Sequence, residues 1–308
     1  MQIPEWAPVA VFIYNRPVHA QRMISSLQSC AGYEESPLFV FADGPRHPRD
    51  LPAVERTRAL ARRLLGERAV FLEREANLGI DISVIAGVTQ LCERFGTAVI
   101  VEEDLVLSPL FLQFLNRALQ RYQDEPRVMQ LSGYMFDVPQ LRGEEEAIFL
   151  PLTTSWGWAT WKRAWDQFDP MADGWQTRLA DEQVRRRFDL DGRFAYSTML
   201  ARQMRRKIGA WDIRWYYTVF AHDGLVLFPP RTLVKNVGFD ASGTHDRLAL
   251  PAHQGPLEMA ASFDLPAAVE ESGQKAAVFE SIRAFRPTSP TDKALAYAKF
   301  ALRRVGLR

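Results

Sequence analysis

The sequence predicts an α/β fold in which a mostly parallel, Rossmann-like sheet has helices on both faces. Two observations support this prediction. Strand-like and helix-like runs alternate over the first 135 residues, which is typical of parallel sheets built from β-α-β units. The strand-like runs are also continuously apolar, as expected for strands that are covered on both faces.

The predicted elements follow one another in a regular order. The predicted strands are VAVFIYN, LFVFADG, AVFLERE, TAVIVEED and VMQLSGYM. The predicted helices run from Pro17 to about Ser29, over residues 51–65, over residues 80–95 and along PLFLQFLNRALQRYQ. The fourth strand is the clearest, because Val99, Ile100 and Val101 are all β-branched.

Beyond about residue 150 the sequence becomes aromatic-rich and less regular. Six of the eight tryptophans lie between Trp156 and Trp211, and Trp215 follows directly after them. Tryptophan stacks on sugars and bases, but it also fills protein cores. We therefore expect this region to lie on the acceptor side of a binding site, with most of its indole rings packed in the core.

Composition excludes several classes of partner. The 308 residues contain 38 Lys and Arg against 37 acids, so that no global charge favours nucleic acid. Cys30 and Cys92 are too few and too isolated for a disulfide framework or a thiolate metal site, which favours a reducing, cytoplasmic location. Neither a basic segment before the first apolar stretch nor a run of 18 apolar residues occurs, so we expect no signal peptide and no membrane span.

The last segment, TDKALAYAKFALRRVGLR, predicts an amphipathic helix over residues 291–308. Its basic face contains Lys293, Lys299, Arg303, Arg304 and Arg308. Such a helix can lie on an anionic membrane surface, or it can pack on the domain with its charges in solvent.

Three consecutive acids, Glu102, Glu103 and Asp104, end the fourth predicted strand. In open α/β sheets the carboxyl ends of the strands border the crevice where ligands bind. Adjacent carboxylates repel one another, and a bound cation would remove that cost. The alternative is that the three residues are ordinary exposed acids at a turn before the next helix.

Other nucleotide and hydrolase motifs are missing. The turn after the first strand is YNRPVHA instead of G-x-G-x-x-G, so the main support for NAD binding is absent. There is no P-loop and no G-x-S-x-G elbow, and the five histidines lack metal-protease spacing. What remains is a set of acids at strand ends.

Taken together, the motifs resemble the GT-A-fold, nucleotide-sugar-dependent glycosyltransferases, and among them the N-acetylglucosaminyltransferase I branch. The resemblance covers roughly residues 8–246 and rests most on VIVEEDLVLSPLFLQFL, which is similar to that family's acidic metal motif. Supporting pieces are IYNRP, FADG, REANLG, WGWATW, AWDIRW and NVGFDASGTH. The resemblance implies a donor half over residues 1–150, an acceptor and catalytic half over 151–248, and a C-terminal extension over 249–308.

The resemblance also implies roles for the acids. Asp104 would ligate the metal, Mn²⁺ or Mg²⁺, which neutralises the departing diphosphate and keeps several waters. Glu103 would lie near the ribose and Glu102 near the hydroxyls of the donor sugar. Glu103 replaces the more usual Asp of the family, so its longer side chain alters that contact.

Four further residues match positions that form the donor pocket of the family. Asp43 would accept a hydrogen bond from the uracil imide, and Arg16 would pair with a carboxylate or phosphate through its planar fork. Asn77 and Gly79 would shape the pocket, since glycine permits close approach of the backbone. For Arg16 the alternative is a structural role, as a cap or ion pair at the first helix.

Asp212, in AWDIRW, matches the catalytic carboxylate of the family and would be the general base. The alternative is an Asp212 that pairs with Arg214 for structure. Asp166, Asp169 and Asp173 are weaker candidates, because their contexts match nothing. The segment FDASGTHDR would form a lid over the diphosphate, in which His245 or Ser242 touches phosphate or metal.

The predicted function is a metal-dependent, inverting transfer of a sugar from a UDP-sugar, with UDP-GlcNAc as the first guess, to a hydroxyl of a glycan or glycoconjugate in polysaccharide assembly. A lipid-linked acceptor would suit the basic residues of the second half, although such runs are more often solvated helix faces; they are Arg185, Arg186, Arg187, Arg202, Arg205, Arg206 and Lys207. Two alternatives stay open: a nucleotidyltransferase that makes nucleotide sugars, and a non-catalytic sugar-binding module with a structural cation.

Overall fold

The computed structural model describes residues 4–206, 209–239, 254–260 and 263–283. The predicted α/β fold class, a mostly parallel Rossmann-like sheet with flanking helices, is confirmed. The strands are β1 Val9–Ile13, β2 Leu38–Ala42, β3 Ala69–Glu73, β4 Thr97–Glu102, β5 Leu105–Leu107, β6 Val128–Ser132, β7 Ile148–Leu150, β8 Trp158–Trp161, β9 Leu225–Phe228 and β10 Val234–Asn236. The helices are α1 Pro17–Gln28, α2 Leu51–Leu65, α3 Ile80–Phe95, α4 Phe111–Arg121, α5 Lys162–Trp165, α6 Trp175–Arg178, α7 Glu182–Phe188, α8 Tyr196–Met204, α9 Asp212–Ala221 and α10 Lys275–Arg283.

Eight strands form the main sheet in the order β3-β2-β1-β4-β8-β6-β9-β7. The first four are mutually parallel, as the β-α-β alternation predicts. Strand β8 then inserts antiparallel to both β4 and β6, and β7 closes the far edge antiparallel to β9. The acids that follow β4 therefore lie near the middle of the sheet, between the donor-side strands and those of the second half.

Each face of the sheet has its own core. Alternate residues of a strand point to opposite faces, and β1 shows this clearly: Val9, Val11 and Ile13 pack with α1, α2 and α4. Ala10 and Phe12 pack with α3 and α9 on the other face. Full burial of these β1 side chains explains why the strand reads as a continuous apolar run.

The tryptophans of the second half mostly fill the second core. Trp158, Trp161, Trp165, Trp211 and Trp215 are all at most 5% exposed. The ring of Trp158 lies 5.9 Å from that of Trp211 and 6.4 Å from that of Trp215. This packing explains the aromatic texture beyond residue 150 without a ligand, and it leaves only Trp156 and Trp175 of that window partly exposed.

A two-stranded antiparallel ribbon, β5 with β10, follows the acids. Leu105 pairs with Asn236 and Leu107 with Val234. The ribbon brings the chain after β10 back to the end of β4, where Val237 N donates to the Asp104 carbonyl oxygen over 2.8 Å. Two distant parts of the sequence thus meet at the acidic triplet.

The cysteines are buried and free. Within the described ranges, no helix combines the length and the apolarity needed to cross a membrane. The predicted amphipathic helix over 291–308 lies outside the described residues.

Candidate active site

Arg16 binds two of the three acids at the end of β4. Its Nε donates to Glu103 Oε1 over 2.9 Å, and its Nη2 donates to Asp104 Oδ2 over 2.8 Å. All three side chains are less than one-fifth exposed. Burial alone would lower the pKa of Arg16, but the charges of Glu103 and Asp104 outweigh it and raise that pKa. Arg16, which follows β1, therefore neutralises part of the negative charge of Glu103 and Asp104 after β4.

Glu103 is the most enclosed member of the triplet, with 6% of its surface exposed. Its second oxygen, Oε2, accepts a hydrogen bond from Tyr14 N over 2.7 Å. Burial raises the pKa of Glu103, and Arg16 opposes this shift. Both oxygens are thus engaged by the protein, and the longer side chain joins the ends of β1 and β4.

Asp104 lies under the chain that follows the β5–β10 ribbon. A Cβ built on Gly238 would lie 2.4 Å from Asp104 Oδ2, so only glycine permits this approach. Gly238 N in turn donates to Asn236 Oδ1 over 2.8 Å. Among the described contacts Arg16 engages Oδ2 of Asp104, and Oδ1 is left for another ligand.

Glu102 forms no ion pair among the described contacts, although the charge of Arg16 partly compensates it. Burial, together with the negative charges of Asp104 and Asp212, raises the pKa of Glu102 to about 8. By the alternation of β4, Glu102 points to the same face as Ile100, which packs in the core that contains α9. Glu102 and Asp212, far apart in the sequence, therefore act on each other at one edge of the sheet.

Asp212 opens α9 and is partly buried. Burial raises its pKa, while hydrogen bonds from Ser155 and from the Ile213 N–H oppose the shift. Ser155 Oγ donates to Asp212 Oδ2 over 3.3 Å, and Ile213 N donates to Oδ1 over 3.0 Å. The Asp212 carboxylate is therefore desolvated, and the donors that bind it, the Ser155 hydroxyl and the Ile213 N–H, are uncharged.

The alternative in which Arg214 pairs with Asp212 is wrong. Arg214 Nη2 instead binds Asp81 Oδ2 over 3.3 Å, and its Nη1 donates to the Pro170 carbonyl oxygen. On a helix, neighbours in sequence point to different sides, so Arg214 reaches across to α3 and leaves Asp212 without a cation from its own helix.

Asp43 forms a second polar cluster, after β2. Its Oδ2 accepts from Gly79 N over 3.1 Å, and its Oδ1 lies 3.4 Å from Arg74 Nη1. Arg74 also donates to Ser83 Oγ over 2.7 Å. Gly79 has a positive φ of 85° at the start of α3, a conformation that favours glycine. Each Asp43 oxygen retains a lone pair for a further donor.

Asn77 lies beside the loop that follows β2. Its Oδ1 accepts from Arg46 Nη2 over 3.4 Å. The same loop is anchored by Tyr14, whose hydroxyl donates to Asp50 Oδ2 over 3.0 Å and accepts from Arg46 N. Asn77, Gly79 and Asp43 thus belong to one wall of the crevice at the ends of β1 and β2.

The donor set fits a hard divalent cation with few protein ligands. Among the described residues no group of three or more His, Cys, Asp or Glu side chains is arranged to enclose a metal ion. Asp104 offers a carboxylate oxygen, which suits Mn²⁺ or Mg²⁺ when phosphate and water supply the other ligands. The predicted lid residues His245 and Ser242 lie outside the described residues.

Three residues at the site were not predicted. Tyr14, Arg74 and Ser155 bind Glu103, Asp43 and Asp212 respectively. Tyr14 and Arg74 lie inside the quoted motifs IYNRP and REANLG. A polar residue beside the end of a predicted strand was therefore the signal that could have identified them. Ser155 lies outside the quoted motifs and offered no such signal. The basic residues of α7 and those at the end of α8 are exposed, as solvated helix faces would be.

No protein-family model matches the chain. No curated protein matches it either.

Three solved structures are similar in fold. GalNAc-T7 with UDP, GalNAc and Mn²⁺ has a TM-score of 0.47 at 10% identity over 73% of this chain and 42% of that one. The mannosyltransferase PcManGT from Pyrobaculum calidifontis, with GDP-Man and Mn²⁺, has a TM-score of 0.40 at 11% identity over 72% and 70% of the two chains. A nucleotide-diphospho-sugar transferase from Desulfovibrio desulfuricans G20 has a TM-score of 0.35 at 13% identity over 54% and 68%.

Proposed function

We propose that the protein is a metal-dependent, inverting glycosyltransferase of the GT-A type that moves a sugar from a UDP-sugar to a hydroxyl group. The observation that supports this most is the meeting of Asp212 with the acids of β4. A desolvated carboxylate from the second half lies close enough to raise the pKa of Glu102. A base beside an anion-and-metal site is what transfer from a nucleoside diphosphate sugar requires.

The donor would lie across the ends of β1, β2 and β4. Asp43 would accept the imide N–H of uracil, and Asn77 and Gly79 would form the neighbouring wall. Glu103 would lie on the ribose side, where its bonds to Arg16 and Tyr14 fix the pocket. Glu102 would hold hydroxyls of the donor sugar, with UDP-GlcNAc as the first candidate.

The metal would be Mn²⁺ or Mg²⁺, held by Asp104, with His245 as a further candidate for contact. When bound, it supplies positive charge to the diphosphate as that group leaves. Arg16 already neutralises part of the charge of Glu103 and Asp104. The remaining negative charge on Asp104 favours a cation at this edge, and a bound cation would in turn favour the ionised form of Glu102, whose pKa is raised.

Asp212 would act as the general base. Its carboxylate takes the proton from the acceptor hydroxyl while that oxygen attacks the anomeric carbon on the side opposite the diphosphate, which inverts the configuration. Burial raises the pKa of Asp212 towards the range in which a base accepts a proton effectively. Ser155 keeps the carboxylate oriented.

The acceptor would be a glycan or a glycoconjugate in polysaccharide assembly, bound beside the second half of the chain. Residues 1–150 would then hold the donor, residues 151–248 the acceptor and the base, and residues 249–308 would form an extension. We propose a cytoplasmic location, which the free and buried Cys30 and Cys92 support.

The test is UDP release from a panel of UDP-sugars with and without Mn²⁺. Wild type is compared with Asp104→Ala, with Asp212→Asn, and with the control Asp166→Asn, whose carboxylate pairs with Lys162 at the surface. We expect metal-dependent release that both site variants lose and the control keeps.

Other outcomes would point to the alternatives. Binding of UDP-sugars without turnover, unaffected by Asp212→Asn, would favour a sugar-binding module. Release of inorganic diphosphate from UTP and a sugar 1-phosphate would favour a nucleotidyltransferase. Absence of any UDP-sugar binding with metal present would reject the proposal.

A further inference from the structure

Exposed apolar side chains concentrate around the candidate active site. Seven large apolar residues are strongly exposed among the residues that the structure describes. Five of them lie at the site's edge of the sheet, and we call these five the apolar rim: Val18, Leu51, Leu78, Ile82 and Met171. Their exposed fractions are 44–65%. Of the other two, Val70 lies on the edge strand β3, and Met259 follows Glu258, whose N–H binds the Thr232 carbonyl oxygen in the loop after β9.

The topology explains why the rim surrounds the site. Val18, Leu51 and Ile82 lie in the first turns of α1, α2 and α3. In a parallel α/β sheet each of these turns follows the carboxyl end of a strand, which is the edge where ligands bind. Three helices therefore present an apolar side chain at the same edge as Arg16, Asp43 and Gly79.

Hydrogen bonds connect the parts of the rim. Gly44 N donates to the Ala76 carbonyl oxygen, and Arg46 binds Asn77, so the loop before Leu51 lies against the segment that contains Leu78. On the other side, Arg214 binds both Asp81 and the Pro170 carbonyl oxygen. The neighbours of Ile82 and Met171 are thereby joined through one side chain.

Exposed basic residues flank the rim on two sides. Arg46, His47 and Arg49 lie in the loop between β2 and α2 and are exposed. Arg205 and Arg206 lie at the end of α8 and are also exposed. The Ala210 N to Gln203 Oε1 bond of 2.7 Å holds the end of α8 close to the chain that enters Asp212.

We propose that the apolar rim docks the protein onto a lipid bilayer that contains anionic headgroups. Shallow insertion of apolar side chains together with basic residues beside them is the combination that binds peripheral proteins to such surfaces. Scattered apolar residues on a surface need no explanation, but a concentration on one face marks an interaction site. The basic flanks favour an anionic bilayer over a neutral one.

This docking has a consequence for the acceptor that rests on the proposed function. The edge with Asp212 would face the headgroup layer, so the acceptor hydroxyl would belong to a glycolipid or a lipid-linked glycan. The docking itself does not depend on sugar transfer, and the two proposals can fail separately.

Co-sedimentation of the full chain with vesicles tests the rim. The vesicles consist of phosphatidylcholine alone or of phosphatidylcholine mixed with phosphatidylglycerol. The rim variant is Ile82→Ser, and the matched control is Val70→Ser on the edge strand β3; the two side chains are 55% and 53% exposed. We expect wild type to bind the anionic vesicles, the control to bind equally, and the rim variant to bind roughly tenfold more weakly or worse. Thermal unfolding checks that every variant is folded.

A second pair of variants tests the charges. Arg46→Glu/Arg49→Glu should weaken binding to anionic vesicles by about fivefold or more for each basic residue lost. Its control is Arg63→Glu/Arg121→Glu, in the last turns of α2 and α4 at the opposite edge, and it should bind like wild type. Added salt should weaken the binding of wild type and control alike.

Several outcomes would overturn the proposal. These include no binding of wild type to anionic vesicles, or equal loss in the rim and control variants. Binding that survives in the rim variant but disappears after deletion of residues 291–308 would assign the membrane contact to that segment instead. A rim-dependent dimer in solution without vesicle binding would assign the rim to a second copy of the chain.

Discussion

The acids on the two sides of the candidate site differ in whether they form an ion pair. Glu103 and Asp104 are paired with Arg16 through short, buried hydrogen bonds. Glu102 and Asp212, at the same edge, receive no ion pair in the described contacts, and burial raises the pKa of both, as it also raises that of Glu103. Glu103, with both oxygens engaged, is suited to fixing the shape of the site. Asp104 keeps Oδ1 for a cation, and the unpaired acids are suited to binding a hydroxyl or a proton.

This contrast separates stability from chemistry within three consecutive residues. Glu103 satisfies Arg16 and the Tyr14 N–H and so joins β1 to β4. Glu102 points to the opposite face, where its charge opposes that of Asp212. We therefore expect loss of the Arg16–Glu103 pair to destabilise the protein, and loss of Asp212 to stop turnover without loss of stability.

The largest effect should follow from removal of Arg16. Arg16→Ala leaves Glu103 buried without its cation, and loss of one partner of a buried ion pair costs about 3–5 kcal/mol of the free energy of unfolding. The measurement is urea unfolding. The control is Arg62→Ala, whose ion pair with Glu73 is more than half exposed on the arginine side and should contribute about 1 kcal/mol or less. Equal losses in the two variants would show that the Arg16 cluster is not a buried pair.

Asp212→Asn should give the opposite result. We expect a fall in kcat for UDP-sugar turnover of about 10²–10⁴-fold, because the general base is lost. Stability at neutral pH should not fall. The pKa of Asp212 is raised on folding, so its ionisation opposes folding as pH rises through that pKa, and asparagine removes this cost. UDP release and urea unfolding, measured on one preparation, check both parts. A variant that is strongly destabilised would place Asp212 among the structural acids.

Gly238→Ala tests the approach of the chain after β10 to Asp104. The added Cβ would lie 2.4 Å from Asp104 Oδ2, so either the carboxylate or the backbone must move, at a cost of about 1–3 kcal/mol. We expect a higher Mn²⁺ concentration for half-maximal UDP release. Gly273→Ala is the control, because nothing lies within 4 Å of its Cβ. If both variants require the same Mn²⁺ concentration, the metal does not depend on this side of Asp104.

Much of the donor half could be predicted from sequence, because its signals are local. Helices α2 and α3 lie over the predicted residues 51–65 and 80–95, and the apolar run of β4 predicted a strand covered on both faces, as its burial shows. Each of these elements is specified by its own period and by its burial on the sheet.

The rest depends on contacts between distant residues. Strand β8 inserts between β4 and β6, and β5 pairs with β10. The hydrophobic pattern of a strand does not show which strand it pairs with, so neither pairing could be predicted. The candidate site residues were named through resemblance and chemistry, yet the pairing that divides Glu103 from Glu102 arises only when β1 lies beside β4. Likewise, Arg214 is close to Asp212 in sequence but binds Asp81 of α3. The direction of its side chain follows from the helix geometry of α9.

The smallest predicted effect concerns the hydroxyl of Ser155, the neutral donor that Asp212 has in place of a cation. This hydrogen bond lowers the pKa of Asp212 against the effect of burial. Ser155→Ala removes it, so the pKa should rise further. A base works only when deprotonated, so the acidic limb of the pH profile of kcat/KM should move to higher pH while the rate at high pH changes little. The negative charges of Glu102 and Asp81 also act on this carboxylate. The control is Thr160→Ala, which removes a hydroxyl that binds the Met129 carbonyl oxygen. It should leave the acidic limb of the pH profile in place. If the acidic limb moves to lower pH, or moves equally in both variants, the titrating group is not Asp212. The unpaired side of the site would then contain no group shown to react, and the contrast between the two sides would not hold.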